Sequence, residues 1–205
     1  ILSLFPHKVI SANILNEMYE NFSMDTFNIY KVVFSEDDMV KPKDPRQPFE
    51  LQDYYAHPEK YVPQFERYLP YLDVLVNGIY WEEKYPRLVR KEFLKNETVL
   101  KSNLTLKVIG DISCDIDGGV EICYKATKPD NPSFTYYALE DKYEDGIQRS
   151  GVTVMAVDNL PCEFSKEASP DFSKVLKPFI NDMVSAFNNG LEELKLPAPI
   201  QRALI

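Results

Sequence analysis

Three short runs of apolar residues, each emptying into a polar loop, constrain this chain more than any other feature of its sequence. Residues 73–81 carry Val74, Leu75 and Val76 into Asn77-Gly78, residues 104–113 carry Val108 and Ile109 into Gly110-Asp111, and residues 151–157 carry Val152, Val154 and Val157 into Asp158-Asn159. Near-continuous apolar runs of this length are what strands buried on both faces of a parallel sheet require. A helix is expected between the first two, over 86–94, opened by Pro86. Strand, helix, strand in this order is the rhythm of an α/β chain with a doubly wound parallel sheet.

Upstream, residues 8–11 and 29–34 read as two further strands, the second rich in β-branched and aromatic residues. Residues 41–48 hold three prolines and read as a loop. A helix is expected from His57-Pro58, with Tyr61, Phe65, Tyr68 and Leu69 on one face, ending near Pro70. Downstream, Ser169 as N-cap and Pro170 at the first helical position open a long amphipathic helix. Its apolar stripe runs from Phe172 through Val175, Phe179 and Met183 to Phe187, with a kink expected at Pro178 and an end at Gly190. There are only 7 glycines, none before Gly78, and Ile1 opens an apolar pattern that reads as the tail of a helix. The expectation is a piece of a longer protein, with one domain over 1–163 and a helical segment over 164–205.

Composition removes several function classes. Against 23 Lys and Arg stand 32 Asp and Glu, and a net charge of −9 with no basic patch repels nucleic-acid phosphates, so no nucleic-acid partner is expected. No apolar run approaches the roughly 20 residues of a membrane span, so no membrane partner is expected either. Cys114, Cys123 and Cys162 lack metal or redox spacing, and a reducing compartment is expected. The sequons at Asn21, Asn96 and Asn103 do not by themselves argue for secretion. His7 and His57 have no partner at i+3 or i+4, and no nucleophile elbow or phosphate loop is present. Asp111, Ser113, Asp115 and Asp117 alternate like calcium ligands, but Ile116 stands where the glycine of such a loop belongs and no Glu follows at the twelfth position. No metal site is expected.

Ligands of open α/β sheets bind outside the carboxyl ends of the strands. Asn77-Gly78, the loop from Asp111 to Gly119, and Asp158-Asn159 all fall at such ends. Each alone is an ordinary turn sequence. Together they point to a ligand cleft.

At Asn77-Gly78-Ile79-Tyr80-Trp81-Glu82, Pro86-Arg87-Leu88, Gly110-Asp111-Ile112-Ser113-Cys114-Asp115, Gly119-Val120-Glu121, Asp158-Asn159-Leu160-Pro161 and Glu167-Ala168-Ser169, the chain resembles the lysine–ketoglutarate reductase part of α-aminoadipic semialdehyde synthase. His57-Pro58-Glu59-Lys60-Tyr61 shares in the likeness, which runs over about residues 1–185. Alanine dehydrogenase, a transhydrogenase subunit and the lysine-forming saccharopine dehydrogenases form the wider group. The resemblance implies a Rossmann-like domain joined to a substrate domain, on which the last helix would pack. It implies NADPH as cofactor, L-lysine and 2-oxoglutarate as substrates, and reduction of their imine to saccharopine. It implies a mitochondrial matrix location in an animal and a cytoplasmic one otherwise, and it leaves a fused saccharopine dehydrogenase domain and an oligomer open.

By the same resemblance, Asn77, Gly78 and Ile79 lie along the cofactor ribose and Asp115 stands by the nicotinamide. Asp158, Asn159 and Leu160 line the hydride-transfer face. Asp111 and Ser113 belong to the same cofactor loop, and Asp117 departs from the Gly common in relatives, which leaves the assignment among the three aspartates open. Ser11, neutral where NAD-specific folds often carry an acid, is compatible with a 2′-phosphate. The glycine-rich phosphate turn and the family's acid–base residues are not found, so the chain alone is expected to be inactive. Two other readings stand beside this one: an NAD-linked, lysine-forming saccharopine dehydrogenase, and a non-catalytic module that self-associates through the 172–187 stripe.

Overall fold

The computed structural model describes residues 4–21, 24–96, 104–189 and 196–202. The expected helix tail at 1–3, part of each of the three sequons, and Gly190 therefore lie outside the described residues. Two compact units divide the chain, Ile1–Asp158 and Asn159–Ile205.

The first unit is built on a five-stranded sheet. Strands β5 (Val74–Asn77), β6 (Val108–Asp111) and β9 (Val152–Met155) run parallel, and the hairpin of β7 (Ser133–Tyr137) and β8 (Lys142–Asp145) extends the sheet antiparallel beside β9. Strands β1 (His7–Ile10) and β2 (Ile29–Val32) form a separate parallel pair, and β3 (Val40–Pro42) pairs antiparallel with β4 (Tyr61–Pro63). The α/β class with parallel strands holds. The hairpin that links β6 to β9 has no counterpart among the sequence expectations.

Leu75, Ile109 and Val154 stand in register across β5, β6 and β9 and are buried in the main core with Leu69, Phe134 and Tyr136. Each large apolar side chain so buried stabilises the fold by about 1.5–3 kcal/mol. Burial on both faces fails for β5: Leu75 is 5% exposed, whereas Val74 and Val76 are 58% and 68% exposed. Strand period two sends alternate side chains to opposite faces, and only one face of this strand meets the core.

Four sequence expectations are corrected. The helix from 57 is a short 3-10 turn (Pro58–Lys60), then β4, then a second 3-10 stretch (Phe65–Tyr71), because residues 61–63 pair with β3. That pairing also turns the start of the expected 41–48 loop into strand. Over 86–94 only Lys91–Lys95 is helical: the amides of Leu88 and Val89 donate to the Gly119 carbonyl, and Val89 bridges Val120, which holds this stretch extended. At the C-terminal end the helix starts at Ser165, not Pro170, and runs to Leu176. A 3-10 turn at Lys177–Phe179 carries Pro178 and leads into Ile180–Asn189, the break expected where a proline lacks its amide donor. Phe172, Val175, Ile180, Met183 and Val184 of its stripe are exposed. None of the described helices is long and apolar enough to cross a membrane.

Candidate functional site

Parallel pairing of β5 with β6 puts Asn77 directly beside Asp111 at the carboxyl ends of both strands. Both side chains are buried, at 3% and 1% exposure, and the Asn77 amide donates to Asp111 Oδ1 at 2.8 Å. The Cys114 amide approaches the same oxygen at 3.3 Å, while Asp111 Oδ2 is buried with no hydrogen-bond partner. An unmet acceptor in so dry a place costs stability, so it marks a position where an added donor would be welcome.

The two loops are stitched together. Ile112 donates its amide to the Asn77 carbonyl at 2.7 Å, and the Ser113 hydroxyl donates to the Ile79 carbonyl at 2.6 Å. A Cβ at Gly78 would meet nothing within 4 Å, so the loop backbone here faces open space.

Beyond Ser113 the chain turns tightly. Cys114 and Asp117 have φ of +53° and +52°, in the left-handed region that glycine enters freely and Asp tolerates. This explains why Asp117 can occupy a place where the resemblance leads one to expect Gly. Arg87 clamps the turn by donating to the carbonyls of Asp117 and Gly118 while its guanidinium lies over the Trp81 ring. Nothing in the spacing of the sequence announced that clamp; the adjacent glycines 118 and 119 were its only signal.

Electrostatically the cluster is acidic. Burial first, then the carboxylates of Asp111, Asp158 and Asp115, push the Cys114 thiol up to about 11. Burial likewise pushes the Cys123 thiol up, and all three cysteines are free. At pH 7.5 iodoacetamide should label exposed Cys162 first, with Cys114 lagging at least about tenfold because so little of it is thiolate. Peptide mass spectrometry checks this, and equal rates would contradict the buried acidic setting. Since unfolding returns the thiol toward 9.0, its raised value supports the fold below that pH and is lost as pH rises toward about 11.

Asn77, Gly78, Ile79, Asp111, Ser113 and Asp115 thus come from two adjoining loops, with Asp158 close enough to act on Cys114. Ser11 is exposed at the end of β1, and no hydrogen bond among the described residues links it to this cluster. Asn159 and Leu160 open the second unit, where Asn159 precedes the short helix Leu160–Glu163. Among the described residues no group of three His, Cys, Asp or Glu side chains is placed to hold a metal ion.

Parallel strands ending together in stitched polar loops define an α/β unit whose candidate site lies at the strand edge where ligands of open α/β sheets bind. Over its whole length the chain is homologous to one segment of the α-aminoadipic semialdehyde synthases. It is 38% identical to the Arabidopsis thaliana protein of that name over 215 residues, covering 100% of this chain and 20% of the relative. The Rattus norvegicus mitochondrial α-aminoadipic semialdehyde synthase is 29% identical over 167 residues, 75% of this chain and 18% of the relative. The chain therefore spans about a fifth of the length of these relatives. A Candida albicans saccharopine dehydrogenase (NAD+, L-lysine-forming) is 30% identical over 119 residues, 54% of this chain and 26% of that one. Among solved structures, an L-alanine dehydrogenase is similar with a TM-score of 0.37 and 16% identity, over 96% of this chain and 45% of that chain. At that score the fold assignment rests on the strand order above. No protein-family profile matches the chain.

Proposed function

We propose that this chain is the dinucleotide-binding portion of a lysine–ketoglutarate reductase. The observation that carries the reading is the buried Asn77–Asp111 pair at adjoining strand ends, in a chain homologous from end to end to a segment of the synthases. The residues present suit a nicotinamide dinucleotide: open space borders the Gly78 backbone, and the orphaned Asp111 Oδ2 would accept from a ligand hydroxyl or amide. NADPH, when bound, supplies the hydride that reduces the imine of L-lysine and 2-oxoglutarate to saccharopine.

The chain's own residues then have distinct tasks. Asn77, Gly78 and Ile79 line the ribose side, with Asp111 and Ser113 fixing that loop. Asp115, half-buried in the acidic turn, stabilises positive charge that develops as hydride leaves. Asp158, Asn159 and Leu160 line the transfer face. Exposed, neutral Ser11 accommodates a 2′-phosphate, which favours NADPH over NADH. The unit over 1–163 carries the cofactor and 164–205 returns to a substrate domain supplied elsewhere in a longer protein. The animal relatives are named mitochondrial, which supports a mitochondrial location in an animal, with the matrix as the compartment proposed. The lysine-forming alternative draws only on a likeness over 54% of the chain.

The test is oxidation of NADPH and of NADH by the full-length gene product with lysine and 2-oxoglutarate, each substrate omitted in turn. Activity with NADPH that needs both substrates supports the reductase. Preference for NADH moves the reading to the lysine-forming dehydrogenase, and inactivity with both cofactors overturns it in favour of a non-catalytic module.

A further inference from the structure

Beside the strand-end loops lies a cavity of about 470 Å³ whose wall is unusually aromatic: Tyr54, Tyr55, Tyr80, Trp81 and Tyr85 line it, with Glu36 among them. We propose that this cavity binds an organic ammonium group, held by the ring faces and the Glu36 carboxylate. The proposal does not depend on the dinucleotide reading.

Ring faces carry the negative lobe of their quadrupole and attract cations, most strongly where water is partly excluded. The same wall already does this with the chain's own cations: Lys84 Nζ sits 4.9 Å from the Tyr85 centroid and the Arg87 guanidinium 5.1 Å from that of Trp81. Glu36 is half-buried and uses one oxygen, Oε1, to accept from the Tyr55 hydroxyl at 2.6 Å. No hydrogen bond occupies its second oxygen among the described residues. Arg87, the one cationic residue lining the cavity among the described residues, donates through Nη1 to the carbonyls of Asp117 and Gly118 and pairs with the Asp117 carboxylate at 3.4 Å. Glu36 forms no ion pair among the described residues, and Asp37 and Asp38 follow it in a chain of net charge −9. An anion would meet Glu36 unfavourably, and a neutral apolar ligand would bury that carboxylate without a partner. An alkylammonium satisfies the rings and the carboxylate together.

Trp81 is the only tryptophan, so its fluorescence reports this cavity directly. The 205-residue chain is titrated with n-butylammonium chloride against sodium chloride at equal ionic strength. The expected result is a saturable change with butylammonium alone, and a half-saturation raised about tenfold in Glu36→Gln. Tyr80→Leu, at an exposed position whose replacement leaves the fold intact, should weaken binding in the same direction and carries the test if Glu36→Gln does not fold. A response equal to that of sodium chloride overturns the proposal, as does an unchanged half-saturation in the folded variants. Saturation by adenosine but not by butylammonium also overturns it and assigns the cavity to a nucleobase.

Discussion

Gly118→Ala should lower the melting temperature of the chain by roughly 5–10 °C, the effect of about 2–3 kcal/mol of overpacking in a chain of this size. A Cβ built at Gly118 lies 2.4 Å from Asp115 Cβ and 2.9 Å from the Asp115 carbonyl oxygen. Neither neighbour is the free end of a flexible side chain. The turn cannot relax easily, because the Gly118 amide donates to that same carbonyl at 3.0 Å and Arg87 grips the carbonyls of Asp117 and Gly118 from outside. Gly78→Ala is the matched comparison: its Cβ would meet nothing, so stability should stay within about 0.5 kcal/mol of the parent. Thermal unfolding followed by circular dichroism measures both. Equal melting temperatures for the two variants would mean that the acidic turn is not held as tightly as its hydrogen bonds indicate.

In the full-length enzyme, Asp115→Ala should cut turnover by a factor on the order of tens or more while leaving the fold intact. Asp115 is only half-buried, and among the described residues no hydrogen bond runs through its carboxylate, so its removal takes away charge rather than support. Asp111 answers differently. Asp111→Ala strips the partner from the buried Asn77 amide and should cost about 1–3 kcal/mol of stability. A kcat for Asp115→Ala equal to the parent, with the melting temperature unchanged, would remove this carboxylate from the hydride-transfer chemistry. A loss shared equally between melting temperature and kcat would make it a structural residue.

The strand ends were the part of this protein most open to reading. Val74-Leu75-Val76 before Asn77, and Val108-Ile109 before Gly110-Asp111, carry apolar character and then a turn signal within a few residues, and both become parallel strands ending side by side. Less was legible where two local signals competed. Tyr61, Phe65, Tyr68 and Leu69 repeat at helical spacing, yet Tyr61-Val62-Pro63 also suits an edge strand, and pairing with Val40-Lys41-Pro42 decides the matter. The hairpin of β7 and β8 was available in the β-branched and aromatic run Phe134-Thr135-Tyr136-Tyr137, and it lengthens the sheet beside β9.

Local composition by itself determined the α/β class, the three polar strand ends and the proline break in the C-terminal helix, because each depends on residues within one turn or one strand of each other. Only the tertiary structure decided that Asn77 lends its amide to Asp111 across 34 positions, that Arg87 grips a turn 30 residues away, and that tyrosines from three segments share a cavity with Glu36. Such contacts form where strand register and burial bring distant segments together, and the free energy that selects them belongs to the whole core and not to any one stretch of chain.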